Sequence, residues 1–252
     1  VDACDTPKAE IPTARATESS LTLYTAWFCP FAQRVQLALE LKQIPYEYID
    51  VDPYNKSKEW LEKNPLGLVP TIFHHQQYIY ESTVVLEYLD DAFPEHAPRL
   101  FPGNAYQKAL NRLAIDHIVK KVIKPFYQIL QFQSDRISER QEAISTLFAE
   151  ISKLVEKMDA NGPYFNGDVP AAVDLVFLPW ATRMYLLKHY RNVQYEKEFK
   201  NKQILERYNK WYHALIAQEF VKATQKSLTI SHEQYPKELM GKYQRYADNT
   251  AK

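Results

Sequence analysis

The stretch "LTLYTAWFCPFAQRVQLALELKQIPYEYIDVD", residues 21 to 52, constrains this chain more than any other. A short apolar run is followed by a Cys-Pro pair, a segment of helical period, and a second run of alternating character. Residues 21 to 25 read as a strand. From Pro30 the period changes: Phe31, Val35, Ala38 and Leu39 follow helical spacing, and a proline suits the first turn of a helix. "YEYIDVD" then reads as a second strand, so the three pieces form a β-α-β unit, whose strands pair in parallel within an α/β domain.

The residues that follow extend this unit. "SKEWLEK" is a short helical piece, and "NPLGLVPTIFHHQQYIYES" reads as a loop, strand 71 to 74, a tight turn near His75 to Gln77, and strand 78 to 80. Residues 81 to 91 place Val84, Val85, Leu86 and Leu89 mostly on one helical face. The order β-α-β-α-β-β-α is complete by residue 92, which sets a first domain at 21 to 92. Pro94, Pro98 and Pro102 mark 93 to 103 as a linker. From 104 to 252 the pattern is helical: one helix over 105 to 133, which Pro125 should bend or interrupt, and a second over 138 to 160, stopped by Asn161, Gly162 and Pro163. A third over 171 to 190 is apolar enough to be buried centrally, and a fourth covers 196 to 216.

Charge and cysteine usage exclude several functions. Lys plus Arg and Asp plus Glu number 31 each, so no global field favours nucleic acid or an anionic membrane. There is no apolar run of about 18 residues to cross a bilayer. Residues 1 to 20 mix acids, bases, Pro and Thr and are expected to form a loose extension, neither signal peptide nor anchor. Cys4 and Cys29 are the only cysteines, too few for a disulfide framework or a four-thiolate zinc site. That usage points to a reducing, cytoplasmic location. His117, His189 and the pair His74 and His75 stand at no metal-binding spacing, so no metal is expected.

Cys29 at a helix N-terminus faces unsatisfied amides and the positive end of the helix dipole, which favour the thiolate. Such sites bring a thiol pKa down to about 3.5 to 7.5, so Cys29 is the candidate nucleophile. Ala32 stands where a dithiol motif has its second cysteine, so the partner thiol comes from outside. Pro70, after Leu68 and Val69, is a candidate cis proline, and extended backbone before it offers an amide and a carbonyl to a peptide-like ligand. Ser82 and the amides of its helix start can hold a carboxylate while Glu81 pairs with an ammonium. Lys56 or Lys58 can take a carboxylate at the ligand's other end. Together these residues suit a zwitterionic thiol peptide. Phe28, Phe126, Tyr127, Trp180, Met184 and Tyr185 are candidates to line a wide apolar acceptor pocket.

"FCPFAQRV", "NPLGLVPTI", "YIYES" and "VVLEYLDDAFP", in this order and spacing, resemble the omega class of cytosolic glutathione transferases. The resemblance runs from about residue 20 into the C-terminal helices. It implies a thioredoxin-like α/β N-terminal domain joined to an all-α C-terminal domain, a homodimer, and glutathione as cosubstrate. It also implies a mixed disulfide between Cys29 and glutathione, with Phe31 beside it, the Val69 backbone and Pro70 on the cysteinyl part, and Glu81 and Ser82 on the γ-glutamyl part. The lysine on the glycyl carboxylate falls on Lys56 when counted back from Asn64-Pro65, and on a different residue when counted from Trp60. Arg183 and Tyr235 match acceptor-site positions, and 230 to 247 resembles the extra helix that packs over the first domain. Where the family commonly has Ser or Thr as a helix cap, Ala171 stands before Asp174, so burial must hold that helix.

The activity this implies is glutathione-dependent thiol transfer: deglutathionylation, or reduction of dehydroascorbate or of an S-glutathionyl ketone. The acceptor is a small hydrophobic or glutathionylated compound. Two alternatives share part of the pattern: a protein that retains glutathione and carries a hydrophobic ligand, and the chloride intracellular channel family with its similar Cys-Pro-Phe. A xi-class hydroquinone reductase usually has Trp where this chain has Phe31.

Overall fold

The computed structural model describes residues 20–250. The expected extension over the first 20 residues, with Cys4, falls almost entirely outside them.

The first unit is a four-stranded sheet in the order β2-β1-β3-β4. β1 (Leu21–Thr25) is central and buried along its length. β2 (Tyr46–Asp50) pairs with it in parallel, Leu21 opposite Tyr46, as the β-α-β reading requires. β3 (Thr71–His74) runs antiparallel to β1 and forms a hairpin with β4 (Gln77–Tyr80). His75 and Gln76 both have positive φ, 47° and 61°, the two left-handed residues a tight hairpin turn demands.

α1 (Pro30–Lys42) crosses from β1 to β2 and packs against both the sheet side and the helical unit. α2 (Lys58–Lys63) is capped by Ser57, whose hydroxyl accepts from Trp60 N–H at 3.1 Å. That helix buries Trp60 against the Tyr24 ring, centroids 4.7 Å apart. α3 (Ser82–Ala92) completes the unit. Its Asp90 carboxylate, buried, accepts from Leu100 N–H at 2.7 Å and Phe101 N–H at 3.2 Å and faces Lys42 at 3.5 Å. Lys42 Nζ also donates to Pro98 O at 3.1 Å, so the proline-rich linker is tied to the end of α1.

α4 (Ala105–His117) starts at a reciprocal cap, with Asn104 and Gln107 each bonding the other's backbone amide. The interruption expected at Pro125 takes the form of a π turn over Ile118–Val122, before α5 (Ile123–Gln131). A widened turn accommodates a residue that has no N–H and whose ring crowds the carbonyl four residues back. α6 (Ile137–Val155) follows.

Two helices predicted as single are broken. The stretch 171 to 190 divides into α7 (Ala172–Ala181) and α8 (Met184–Arg191). The Pro179 carbonyl accepts from the Thr182 hydroxyl at 3.1 Å and from Arg183 Nη1 at 2.7 Å, while Arg183 N–H turns to Trp180 O. Side chains thus take the acceptor that a continuous helix needs. The stretch 196 to 216 divides into α9 (Tyr195–Glu198) and α10 (Lys202–Ile216), because Asn201 caps the second piece by accepting from Gln203 N–H. α11 (Glu219–Ala223) and α12 (Tyr235–Ala247) end the described chain.

α7 is buried at all ten positions, which confirms the expected central helix. Asp174 takes over part of the missing cap: its carboxylate accepts from Ala171 N–H at 2.9 Å, Phe165 N–H at 2.9 Å and Trp211 Nε1 at 2.7 Å. Burial pushes its carboxyl up to about 6.

α1 joins the two units. Gln33 donates to Thr224 Oγ1 at 3.1 Å and accepts from Arg183 Nη1 at 2.6 Å, and Arg34 Nε donates to Val176 O at 3.1 Å. One apolar core runs through both units.

Candidate active site

The chain leaves β1 through a tight turn in which Cys29 N–H donates to Ala26 O at 2.8 Å. Cys29, with φ −78° and ψ 119°, is the N-cap residue of α1, and its side chain makes no capping bond. The half-buried thiol lines a cavity, its Sγ 3.8 Å from Val69 O. The Val69-Pro70 peptide is cis.

The helix start does not lower this thiol as the sequence position predicts. Burial pushes Cys29 above its ordinary value, and the amides of Ala32 and Phe31, with the charges of Arg183 and Arg34, only reduce the rise. Removing water from the sulfur costs its anion more than these donors return.

Two adjoining cavities share Phe31, Leu68 and Val69 as a common wall. The smaller, about 230 Å³, reaches Pro70, Glu81 and Ser82. Glu81 precedes α3 with φ 67° and ψ 108°, a conformation that costs a side-chain-bearing residue about 1–3 kcal/mol, and its carboxylate makes no capping bond. Strain retained at a cavity edge points to use of the side chain. Ser82 Oγ accepts from Arg34 Nη1 at 3.1 Å, which leaves the hydroxyl hydrogen to point elsewhere.

Arg34 is absent from the sequence reading, where helical spacing made it one more residue of α1. It is 1 % exposed, its guanidinium 4.5 Å from the Trp180 ring centroid and 5.0 Å from that of Phe31. Burial pushes it down to about 9, so it keeps its charge at neutral pH.

The larger cavity, about 320 Å³, holds Cys29, Phe28, Tyr127 and Lys56 from the sequence reading. Lys56 Nζ donates to Leu66 O at 3.2 Å, whereas Lys58 is exposed beside Glu62. Six other expected acceptor residues do not line it. Phe126, one position before Tyr127 on α5, is turned into the core with no exposure. Trp180 lies behind Phe31, ring centroids 4.9 Å apart, and Met184 is packed in the core. Arg183 is buried on Gln33 and Pro179, and Tyr235 donates to Trp27 O at 3.3 Å. Tyr185 instead donates to Pro236 O at 3.1 Å. The remaining wall comes from Tyr54 and from Lys242, Tyr243 and Tyr246 of α12. The spacing of Tyr243 and Tyr246, three apart on a helix, was the available signal.

Known proteins share this chain's sequence pattern and fold. Residues 28–92 match the family model for the glutathione S-transferase N-terminal domain. The mouse protein glutathione S-transferase omega-1 is 36% identical over 183 residues, which cover 72% of this chain and 74% of that one. The crystal structure of glutathione transferase Omega 3C from Trametes versicolor aligns with TM-score 0.74 at 34% identity, over 82% of this chain and 90% of that chain. A rice transferase solved in complex with glutathione shares the fold, with TM-score 0.76 at 24% identity over 92% of this chain and 99% of that chain. The first unit is therefore the thioredoxin-like domain of these enzymes and the second their helical region, and the chain belongs to the omega class of the glutathione S-transferases.

Proposed function

We propose that this transferase moves glutathione through Cys29 by thiol–disulfide exchange. The Cys29 thiolate attacks the glutathionyl sulfur of a mixed disulfide R–S–SG. The S–S bond breaks, R–S⁻ leaves and takes a proton, and glutathione stays on Cys29. A glutathione thiolate then attacks the glutathionyl sulfur of that adduct, releasing glutathione disulfide and the Cys29 thiolate. The acceptor disulfide is reduced and glutathione is oxidised. Dehydroascorbate and S-glutathionyl ketones are further substrates for the same thiol.

The observation that carries this reading is the cysteine lining the larger cavity, 3.8 Å from the carbonyl of Val69, a residue that both cavities share. In this reading the Val69 backbone and Pro70 hold the cysteinyl part of glutathione, Glu81 and Ser82 its α-amino acid end, and Lys56 its glycyl carboxylate. Phe31 closes the cavity beside the sulfur. The protein works in the reducing cytoplasm as a homodimer.

The test is to incubate the protein with glutathione disulfide and weigh it intact, beside Cys29→Ser. One glutathione gained by the wild type, absent from the variant and removed by reduced glutathione, is the expected result. No adduct, or one on Cys4 alone, overturns it. The burial that raises the Cys29 thiol favours a second reading, in which glutathione is retained while the larger cavity carries a hydrophobic ligand without turnover. Turnover that is lost in Cys29→Ser excludes that role.

A further inference from the structure

The larger cavity is walled by rings: Phe28, Tyr54, Tyr127, Tyr243 and Tyr246 surround the space beside Cys29. Burial raises the hydroxyls of Tyr127, Tyr243 and Tyr246, so all three stay neutral at physiological pH. The rings also pack on one another, the Tyr246 centroid lying 5.1 Å from that of Tyr127 and 5.4 Å from that of Tyr243. What remains open to a ligand is mainly flat π surface, which takes another ring in stacked or edge-on contact.

The charge on this wall has one sign. No aspartate or glutamate is among the described residues lining the cavity, whereas Lys56 and Lys242 both do. Lys242 forms no ion pair among the described residues. Its ammonium lies 5.1 Å from the centroid of the Phe28 ring, a contact worth only about 0.5–1 kcal/mol at such an exposed site. Asp50, the acid whose carboxyl responds to Lys242, is itself pushed up by burial, and its charge is not paired with Lys242 in an ion pair among the described residues.

Glutathione accounts for only one of the two lysines. If Glu81 and Ser82 take the α-amino acid end and Lys56 the glycyl carboxylate, no charged group of glutathione is left for Lys242. We infer that the second substrate is a planar aromatic compound bearing an anionic group, its ring against Tyr127, Tyr243 and Tyr246 and its charge on Lys242. This rests on the glutathione reading above and adds to it the chemical class of the acceptor.

Unreactive thioethers separate the two claims. S-benzylglutathione, S-(4-carboxybenzyl)glutathione and S-(4-aminomethylbenzyl)glutathione are titrated calorimetrically into the wild type, Lys242→Gln and Lys56→Gln. The carboxybenzyl compound is expected to bind the wild type about fivefold more tightly than the benzyl compound, and the aminomethyl compound least tightly. Lys242→Gln is expected to cut the carboxyl advantage below twofold, while Lys56→Gln weakens all three and keeps their order. Equal affinities in the wild type, or an advantage that survives in Lys242→Gln, overturn the inference and leave the glutathione site standing. Failure of all three to bind overturns both.

Discussion

Arg34 Nη1 donates to Ser82 Oγ across 3.1 Å, from a guanidinium buried between the Phe31 and Trp180 rings. The bond takes a lone pair of the hydroxyl and leaves its hydrogen for an incoming carboxylate. Arg34→Met is therefore expected to weaken glutathione binding about tenfold, the size of one charge-assisted hydrogen bond. The specific check is a double-mutant cycle: in a Ser82→Ala background, Arg34→Met should weaken binding less than twofold. Full additivity of the two changes means that Arg34 does not act through Ser82.

Cys29 is raised by burial from an ordinary value of 9.0. Its thiolate is then a minority species throughout the neutral range, and each pH unit increases that fraction about tenfold. Alkylation of Cys29 by iodoacetamide, followed at its own peptide so that Cys4 does not interfere, should climb without a plateau from pH 6 to pH 9. A plateau below pH 8 means that the helix amides and guanidiniums outweigh burial.

Glu81 holds φ at 67° beside the smaller cavity. Glycine adopts positive φ without the side-chain clash, and relief of such strain is worth about 1 kcal/mol. Glu81→Gly is expected to melt at or above the wild-type temperature while losing most of its glutathione affinity. A variant that melts lower and binds normally contradicts both parts.

The Asp174 carboxyl is raised from 3.8 to about 6 by burial. Between those values the folded chain keeps a proton that the unfolded chain releases, so rising pH favours unfolding there, at up to about 1.4 kcal/mol per pH unit. Above pH 6 the effect is complete. Urea unfolding of the wild type relative to Asp174→Asn should show the difference in stability falling from pH 4 to pH 6 and level thereafter. A difference that grows with pH places the carboxyl below 3.8.

Much of the first domain was legible because its signals are local. Strand and helix periods, Pro30 at a helix start and the turn at His75 and Gln76 depend on neighbours in sequence. The helical region was less so: the breaks before Arg183 and before Lys202 depend on which donors reach Pro179 O and on the Asn201 cap. Both are choices between competing hydrogen bonds. For the site, Cys29, Val69, Glu81 and Ser82 line two adjoining cavities, but the makeup of the larger one did not follow from aromatic content. Phe126 and Tyr127 differ by one step, about 100° of helix rotation, and only packing says which faces the cavity. Arg34 was missed because burial of a charge 48 positions from its partner Ser82 leaves no local trace.

α1 begins at the Cys29 sulfur, carries Gln33 and Arg34 into the helical unit, and ends at Lys42 on the linker. The two units are therefore not interchangeable parts. A chimera that takes its first domain from a relative must bring along the groups that receive α1, namely Thr224, Arg183 and the Val176 carbonyl of α7. Without them it would place an intact cysteine on a helix whose far side has lost its sockets. Inheritance along this chain is by matched surfaces, and α1 is where the match is made.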